Sequence, residues 1–248
     1  MKILKLALPA IFGLVILLTG CAKDEGVCVS STGKVISVDR SNQPFHSVVV
    51  YDNINLILTQ DTSKYLITVE AGENLIDGIT TVLDSGKLVL RNENSCNWLR
   101  SFEVPVNVYL TFSQLDTIVF RAAGNITCTN DWTNRSVYLD VVEGAGKLDL
   151  SLNVYDTYII VRYGTTYLDI TGKSEVATLI SYGFGPLHAE NLNSKFTYVS
   201  CYSPNDMFVY SSIDLIVEIG NIGNVYYRGY PANITTNYLN EGRLIRLD

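Results

Sequence analysis

The sequence predicts an all-β protein: a right-handed parallel β-helix-like solenoid with coils of about 20 residues. Three observations predict it. Text rich in Val, Ile, Thr, Tyr and Phe, broken by turn residues, runs through almost the whole chain. Only eight Ala follow residue 20, and no long window repeats its apolar residues at the helical period. Beyond residue 115, a turn residue followed two places later by an apolar one recurs every 18–22 residues.

The chain of 248 residues opens with Lys2 and Lys5, an apolar run over residues 6–18, and the small residues Thr19 and Gly20. Residues 1–20 are thus expected to be a secretory signal peptide, too short to count as a membrane span. Leu18-Thr19-Gly20-Cys21 resembles the lipobox of bacterial lipoproteins. That resemblance implies cleavage before Cys21, acylation of Cys21, and an outer-membrane partner reached through the lipid anchor. Each buried methylene contributes about 0.8 kcal/mol, so several acyl chains hold where one would not. Ala22-Lys23-Asp24-Glu25 resembles the surface-export signal of Gram-negative lipoproteins, so the expected address is the outer face of the outer membrane. Residues 21–43 are then a lipidated Cys with a flexible tether, and residues 44–248 the solenoid domain.

Without its leader the chain carries 16 Lys and Arg, two fewer than the full 18, against 25 acidic residues, a net charge near −9. No nucleic-acid partner is expected, because phosphate binding needs clustered cations, and a polyanion is the least favoured class of ligand. Cys28, Cys96, Cys128 and Cys201 allow three disulfide pairings or none, and their spacing matches no zinc motif.

Strand candidates follow at 47–51, 55–59, 65–70, 87–91 and 103–110, with one short turn over 72–79. The repeat places apolar residues at Ile126, Leu148, Leu168, Leu187, Met207, Val225 and Leu244. Two places before each stand Gly124, Gly146, Thr166, Gly185, Asn205, Gly223 and Gly242, types that tolerate positive φ. A second strand candidate precedes each corner, at 115–120, 137–142, 158–163, 177–182, 197–202 and 215–219. Seven stacked coils would rise about 34 Å. An antiparallel sandwich is the rival architecture.

Several stretches resemble the head GIN domain family of bacterial surface proteins. They are Phe45-His46-Ser47-Val48-Val49-Val50, then Asn53-Ile54-Asn55-Leu56, in which Asn53 stands where Gly is typical. Val69-Glu70-Ala71-Gly72-Glu73-Asn74, Gly86-Lys87-Leu88-Val89-Leu90, the corners at Gly144-Ala145-Gly146 and Gly183-Phe184-Gly185, and Gly223-Asn224-Val225-Tyr226-Tyr227-Arg228-Gly229 extend the likeness. The resemblance covers residues 44–247. It implies a β-helix-like fold and an adhesin role, and it supplies no catalytic residues.

The residues themselves point the same way. Gly-x-Gly corners without a following helix do not cradle phosphate. His46 and His188 are the only histidines, and no Gly-x-Ser-x-Gly elbow exists, so no catalytic set, metal site or cofactor is expected. Asp149, Asp169 and His188 would stack on one outward face, the starting point for the alternative of a polysaccharide-active enzyme. Twelve of the sixteen Tyr lie beyond residue 154, and Tyr163, Tyr182 and Tyr202 recur at 19 and 20 residues. They are expected to form one outward aromatic column, a platform for a host or self glycan or a surface protein. A structural or lipid-binding envelope component is the remaining alternative.

Overall fold

The computed structural model describes residues 32–95 and 104–247. The signal peptide, Cys21, the charged residues after it, Cys28 and Cys96 lie outside the described residues. The chain divides into two units, Met1–Ser31 with Ser95–Ser101 and Thr32–Asn94 with Phe102–Asp248, and the second holds the fold.

The first nine strands are short: β1 (Val35–Ser41), β2 (Ser47–Asp52), β3 (Ile54–Gln60), β4 (Leu66–Gly72), β5 (Ile79–Asp84), β6 (Lys87–Asn92), β7 (Val106–Phe112), β8 (Thr117–Ala122) and β9 (Ile126–Cys128). A 3-10 turn, Ile76–Gly78, falls within the stretch expected to make one. Then β10 (Trp132–Val141) leads into three 15-residue strands, β11 (Lys147–Val161), β12 (Tyr167–Ser181) and β13 (Leu187–Cys201). The last coils comprise β14 (Met207–Tyr210), β15 (Asp214–Ile219), β16 (Val225–Arg228), β17 (Asn233–Tyr238) and β18 (Leu244–Arg246).

Two parallel ladders build the solenoid. The first stacks β3, β9, β11, β12, β13, β14, β16 and β18, aligning Leu56 with Ile126, Leu148, Leu168, Leu187, Met207, Val225 and Leu244. All seven repeat positions thus share one column, and they bound about six turns rather than seven coils. The second ladder aligns Leu88, Val48, Ile118, Leu139, Ile159, Leu179, Val199 and Val217, every one of them buried. Burying such a side chain contributes about 1.5–3 kcal/mol, so these two columns are the main cohesion of the stack.

The 15-residue strands are continuous around a bend, and the sequence shows where it lies. In β11 the buried positions are Leu148, Leu150, Leu152 and Val154, then Thr157, Ile159, Ile160 and Val161. The two-residue alternation changes phase between 154 and 157, so the strand turns there from one face to the next.

At the opposite corner, close approach selects glycine more than backbone sign does. A Cβ on Gly146, Gly185, Gly223 or Gly242 would fall 1.8–2.2 Å from the carbonyl oxygen of the corner residue one coil earlier. Among the seven corner residues only Gly146, at φ 115, is left-handed, so the expectation of positive φ holds there alone.

Two further differences concern the beginning of the fold. Val35–Ser41, inside the stretch expected to be tether, pairs antiparallel with β4. In the β2–β3 turn Asn53 stands where the family's Gly is typical, and the residue that takes the left-handed backbone is its neighbour Asp52 (φ 63). The Asp52 carboxylate accepts the Asn92 N–H at 2.9 Å, and Asn53 Oδ1 accepts from Asn92 Nδ2 at 2.8 Å, which fixes that turn.

Candidate functional site

Where β11, β12, β13, β15 and β17 end, the next residue begins the corner. The N–H of Arg162, Tyr182, Tyr202, Gly220 and Leu239 donates to Val141, Val161, Ser181, Cys201 and Ile219, respectively, one coil earlier at 2.7–2.9 Å. These five residues therefore form one column. Tyr182 and Tyr202 stack within it, ring centroids 5.0 Å apart and planes 9° from parallel. The Tyr202 hydroxyl donates to the Glu218 carboxylate. That bond holds the phenol above its usual pKa and the carboxyl below its own. Gly220 leaves room for the Tyr202 ring, since a Cβ there would sit 2.2 Å from it.

Tyr163 does not share the column. Six residues separate Val161 from Leu168, but five separate Ser181 from Leu187, so Tyr163 falls one place beyond the position of Tyr182. Its ring instead meets Phe184 edge-on at 5.9 Å. All three tyrosines nevertheless border one corner. Tyr163 is 65% exposed, Tyr182 47%, and Phe184 49%, while Tyr202 is half-buried. Exposed Ile222 lies at the same corner two coils on from Phe184. The result is a rigid apolar ridge rather than a uniform tyrosine ladder.

Asp149, Asp169 and His188 do align on one face, followed by Phe208 and Tyr226. The two carboxylates are clasped by Lys147 Nζ, at 3.1 and 3.5 Å. The hydrogen bond to Asp149 raises the pKa of that lysine. Lys147 thus stands as a shared cation between Asp149 and Asp169, and neither carboxylate is unpaired. Among the described residues no group of three or more His, Cys, Asp or Glu is placed to hold a metal ion. His188 Nδ1 lies 3.1 Å from Glu190, and its ring stacks between Tyr167 and Phe208 at 5.1 and 4.3 Å. Tyr226 continues the stack beyond Phe208 at 5.0 Å. The sequence aligns His188 with Asp149 and Asp169 but does not by itself reveal this aromatic stack, although His188, Phe208 and Tyr226 each follow a repeat position by one residue.

A feature missed altogether is the groove at the bend of the long strands. It encloses about 710 Å3 and is lined by Asn153, Tyr155, Lys173, Glu175, Asn193 and Lys195 among others. Register stacks Thr133, Asn153, Lys173 and Asn193, one per coil. Their spacing of 20 residues was the available signal. Beneath them Ser174 and Ser194 are buried and already bonded, Ser174 to the Val176 carbonyl and Ser194 to that of Tyr210, each at 2.7 Å.

Cys128 and Cys201 are both free thiols. Burial pushes each up to about 11, so neither is a poised nucleophile.

With this geometry in view, comparison with known proteins is informative. Residues 44–231 match the family described as "Putative auto-transporter adhesin, head GIN domain". A crystal structure titled as a putative adhesin from Bacteroides fragilis is similar at TM-score 0.79 and 20% identity, over 86% of this chain and 97% of that one. A second adhesin of that description, from Parabacteroides merdae, gives TM-score 0.60 and 14% identity, over 87% and 97%. A Parabacteroides distasonis structure described as a putative lipid binding protein gives TM-score 0.60 and 14% identity, over 87% and 98%. At these identities the likeness establishes the fold. No curated protein matches the chain.

Proposed function

The chain belongs to the head GIN domain family of auto-transporter adhesins, and on that premise we propose that it is a non-catalytic cell-surface lipoprotein that binds a glycan or a surface protein. The observation that carries this reading is the exposed ridge of Tyr163, Tyr182, Phe184 and Ile222 on a scaffold held rigid by in-register stacking. Flat aromatic rings that cannot collapse inward offer area to a partner at small entropic cost. The Tyr202–Glu218 bond and the Tyr182–Tyr202 stack fix the ridge in place before any ligand arrives. The adhesin family and the adhesin-named neighbours support a binding role at the cell surface. The engagement of Asp149 and Asp169 by Lys147 speaks against the enzyme alternative.

In this proposal Cys21 carries the acyl chains, and the segment after it holds the solenoid clear of the outer membrane. Replacing Cys21 with Ser should release the protein from the membrane fraction and abolish labelling by a fatty-acid analogue. Retention of both in the variant would overturn the anchor. For binding, residues 22–248 would be screened against arrayed glycans and matrix proteins. Tyr182→Ala is expected to weaken the strongest interaction at least tenfold, with the circular dichroism spectrum unchanged. Unchanged affinity would remove the ridge as the contact surface.

A further inference from the structure

The groove at the bend of β11, β12 and β13 has the makings of a second binding surface. It lies away from the aromatic ridge, which sits at the Gly-rich corner of the same coils. One wall is the column Thr133–Asn153–Lys173–Asn193, four hydrogen-bonding side chains at about 4.8 Å per coil. Beside it stand Tyr155, 54% exposed, and then Glu175 and Lys195. Arg135 lies 5.8 Å from the centre of the Tyr155 ring.

The hydrogen-bonding state of these groups separates the groove from an ordinary polar surface. Glu175 is its only lining carboxylate among the described residues, and Lys195 pairs with it at 3.0 Å. Lys173 has no carboxylate partner among the described residues, and it stands between the amides of Asn153 and Asn193. The lining is therefore net positive in a chain of net negative charge. Outward amides, an exposed aromatic face and one unpaired cation make a specific combination. Amides take sugar hydroxyls in both directions, a ring packs against the apolar face of a pyranose, and an ammonium attracts a carboxylate.

We propose that this groove binds a short oligosaccharide carrying a single carboxylate, which pairs with Lys173 while a neighbouring sugar ring packs on Tyr155. The inference rests on the reading of the protein as a glycan-binding adhesin, and it adds the ligand class and the place. Sparse charge in the ligand follows from the protein as a whole. Its acidic surface repels a polyanion at long range, whereas one carboxylate at contact distance feels Lys173 within the screening length of about 8 Å.

The test titrates residues 22–248 with 3′-sialyllactose and with cellobiouronate (glucuronosyl-glucose), each carrying one carboxylate, which distinguish a terminal nonulosonate from a uronate. Lactose is the uncharged control. One of the acidic sugars is expected to bind at least tenfold more tightly than lactose. Lys173→Ala should remove that preference, and Lys173→Arg should retain most of it. Tyr155→Ala should weaken acidic and neutral sugars together. The exposed, remote Lys87→Ala should change nothing, which separates a local contact from net charge. Equal affinity for lactose and both acids, or an acid preference that survives Lys173→Ala, overturns the groove proposal. Glycan binding that survives Lys173→Ala and Tyr155→Ala but is lost in Tyr182→Ala would also overturn it, and would leave the adhesin reading intact.

Discussion

The strands before residue 130 and those after it obey different rules, although they share one hydrophobic core. From β10 on, every pairing among the described residues is parallel, the register shifting once, between Asp169 and Thr171 in the β12–β13 ladder, and one coil otherwise predicts the next. Before it, parallel pairs alternate with antiparallel ones: β1 with β4, β4 with β7, and β5 with β6. The difference has a physical origin. A stack of parallel coils cannot end without exposing an edge, and antiparallel strands close the first coils with short reversals of the chain. The early region thus seals the stack, and the later region displays columns of side chains. Both the ridge and the groove belong to the later region, because only a repeating register puts like residues side by side.

Trp132 joins the two regions, and its loss offers the largest effect. It begins β10, is 1% exposed, packs edge-on against Phe112 at 5.9 Å, and donates its indole N–H to the Leu115 carbonyl at 2.8 Å. Trp132→Ala should cost about 3–5 kcal/mol, chiefly from the cavity, since Asn134 Nδ2 still donates to the Leu115 carbonyl at 2.7 Å. Urea unfolding followed by circular dichroism should still show one transition, shifted to lower denaturant. Two separated transitions would mean that seal and display region fold independently.

The same substitution made in each region sharpens the contrast. Gly172 interrupts β12 at φ 108, and a Cβ there would lie 2.0 Å from the backbone oxygen of Leu152 in the neighbouring coil. Gly86, in the β5–β6 hairpin at φ 78, would meet only the ring of exposed His46 at 2.6 Å. A side chain on the surface can swing aside, but a stacked backbone cannot. Gly172→Ala should therefore cost about 3 kcal/mol, combining strain with a forced separation of coils. Gly86→Ala should cost about 1–2 kcal/mol, the strain alone. Equal losses of thermal stability would show that the repeat is no stiffer than its seal.

What could be read in the sequence divides along the same line. Leu148, Leu168 and Leu187 reveal themselves because inward positions of a parallel stack must coincide, so the period appears in the text. Strand β1 does not. All its positions are exposed or half-exposed, so Val35–Ser41 carries no alternation to read, and its polar look suggested tether. Tyr163 was misplaced by one residue for a different reason. Spacing counts residues, while register counts hydrogen bonds, and six residues separate Val161 from its next column position Leu168 where five separate Ser181 from Leu187. The groove column recurs at 20 residues, yet polar columns at that period arise on any solenoid face. Only the bend of the long strands distinguishes this one.

The smallest expected effect compares a thiol from each region. Cys128 lies in β9 and is half-buried, whereas Cys201 ends β13 and is fully buried. Burial raises both from an ordinary value near 9 to about 11. Below about pH 9 the thiols are protonated folded or unfolded, and their contribution to stability is intact. Between about 9 and 11 only the unfolded chain ionises, so stability should fall as pH rises through this window. Cys201→Ala should flatten that part of the pH profile, measured by urea unfolding at half-unit steps. At pH 8 the native protein should resist iodoacetamide at both sites, with Cys201 the slower by peptide mass mapping and both labelling readily in urea. Faster alkylation of Cys201 than of Cys128 would show that the repeating region opens more readily than the region that seals it.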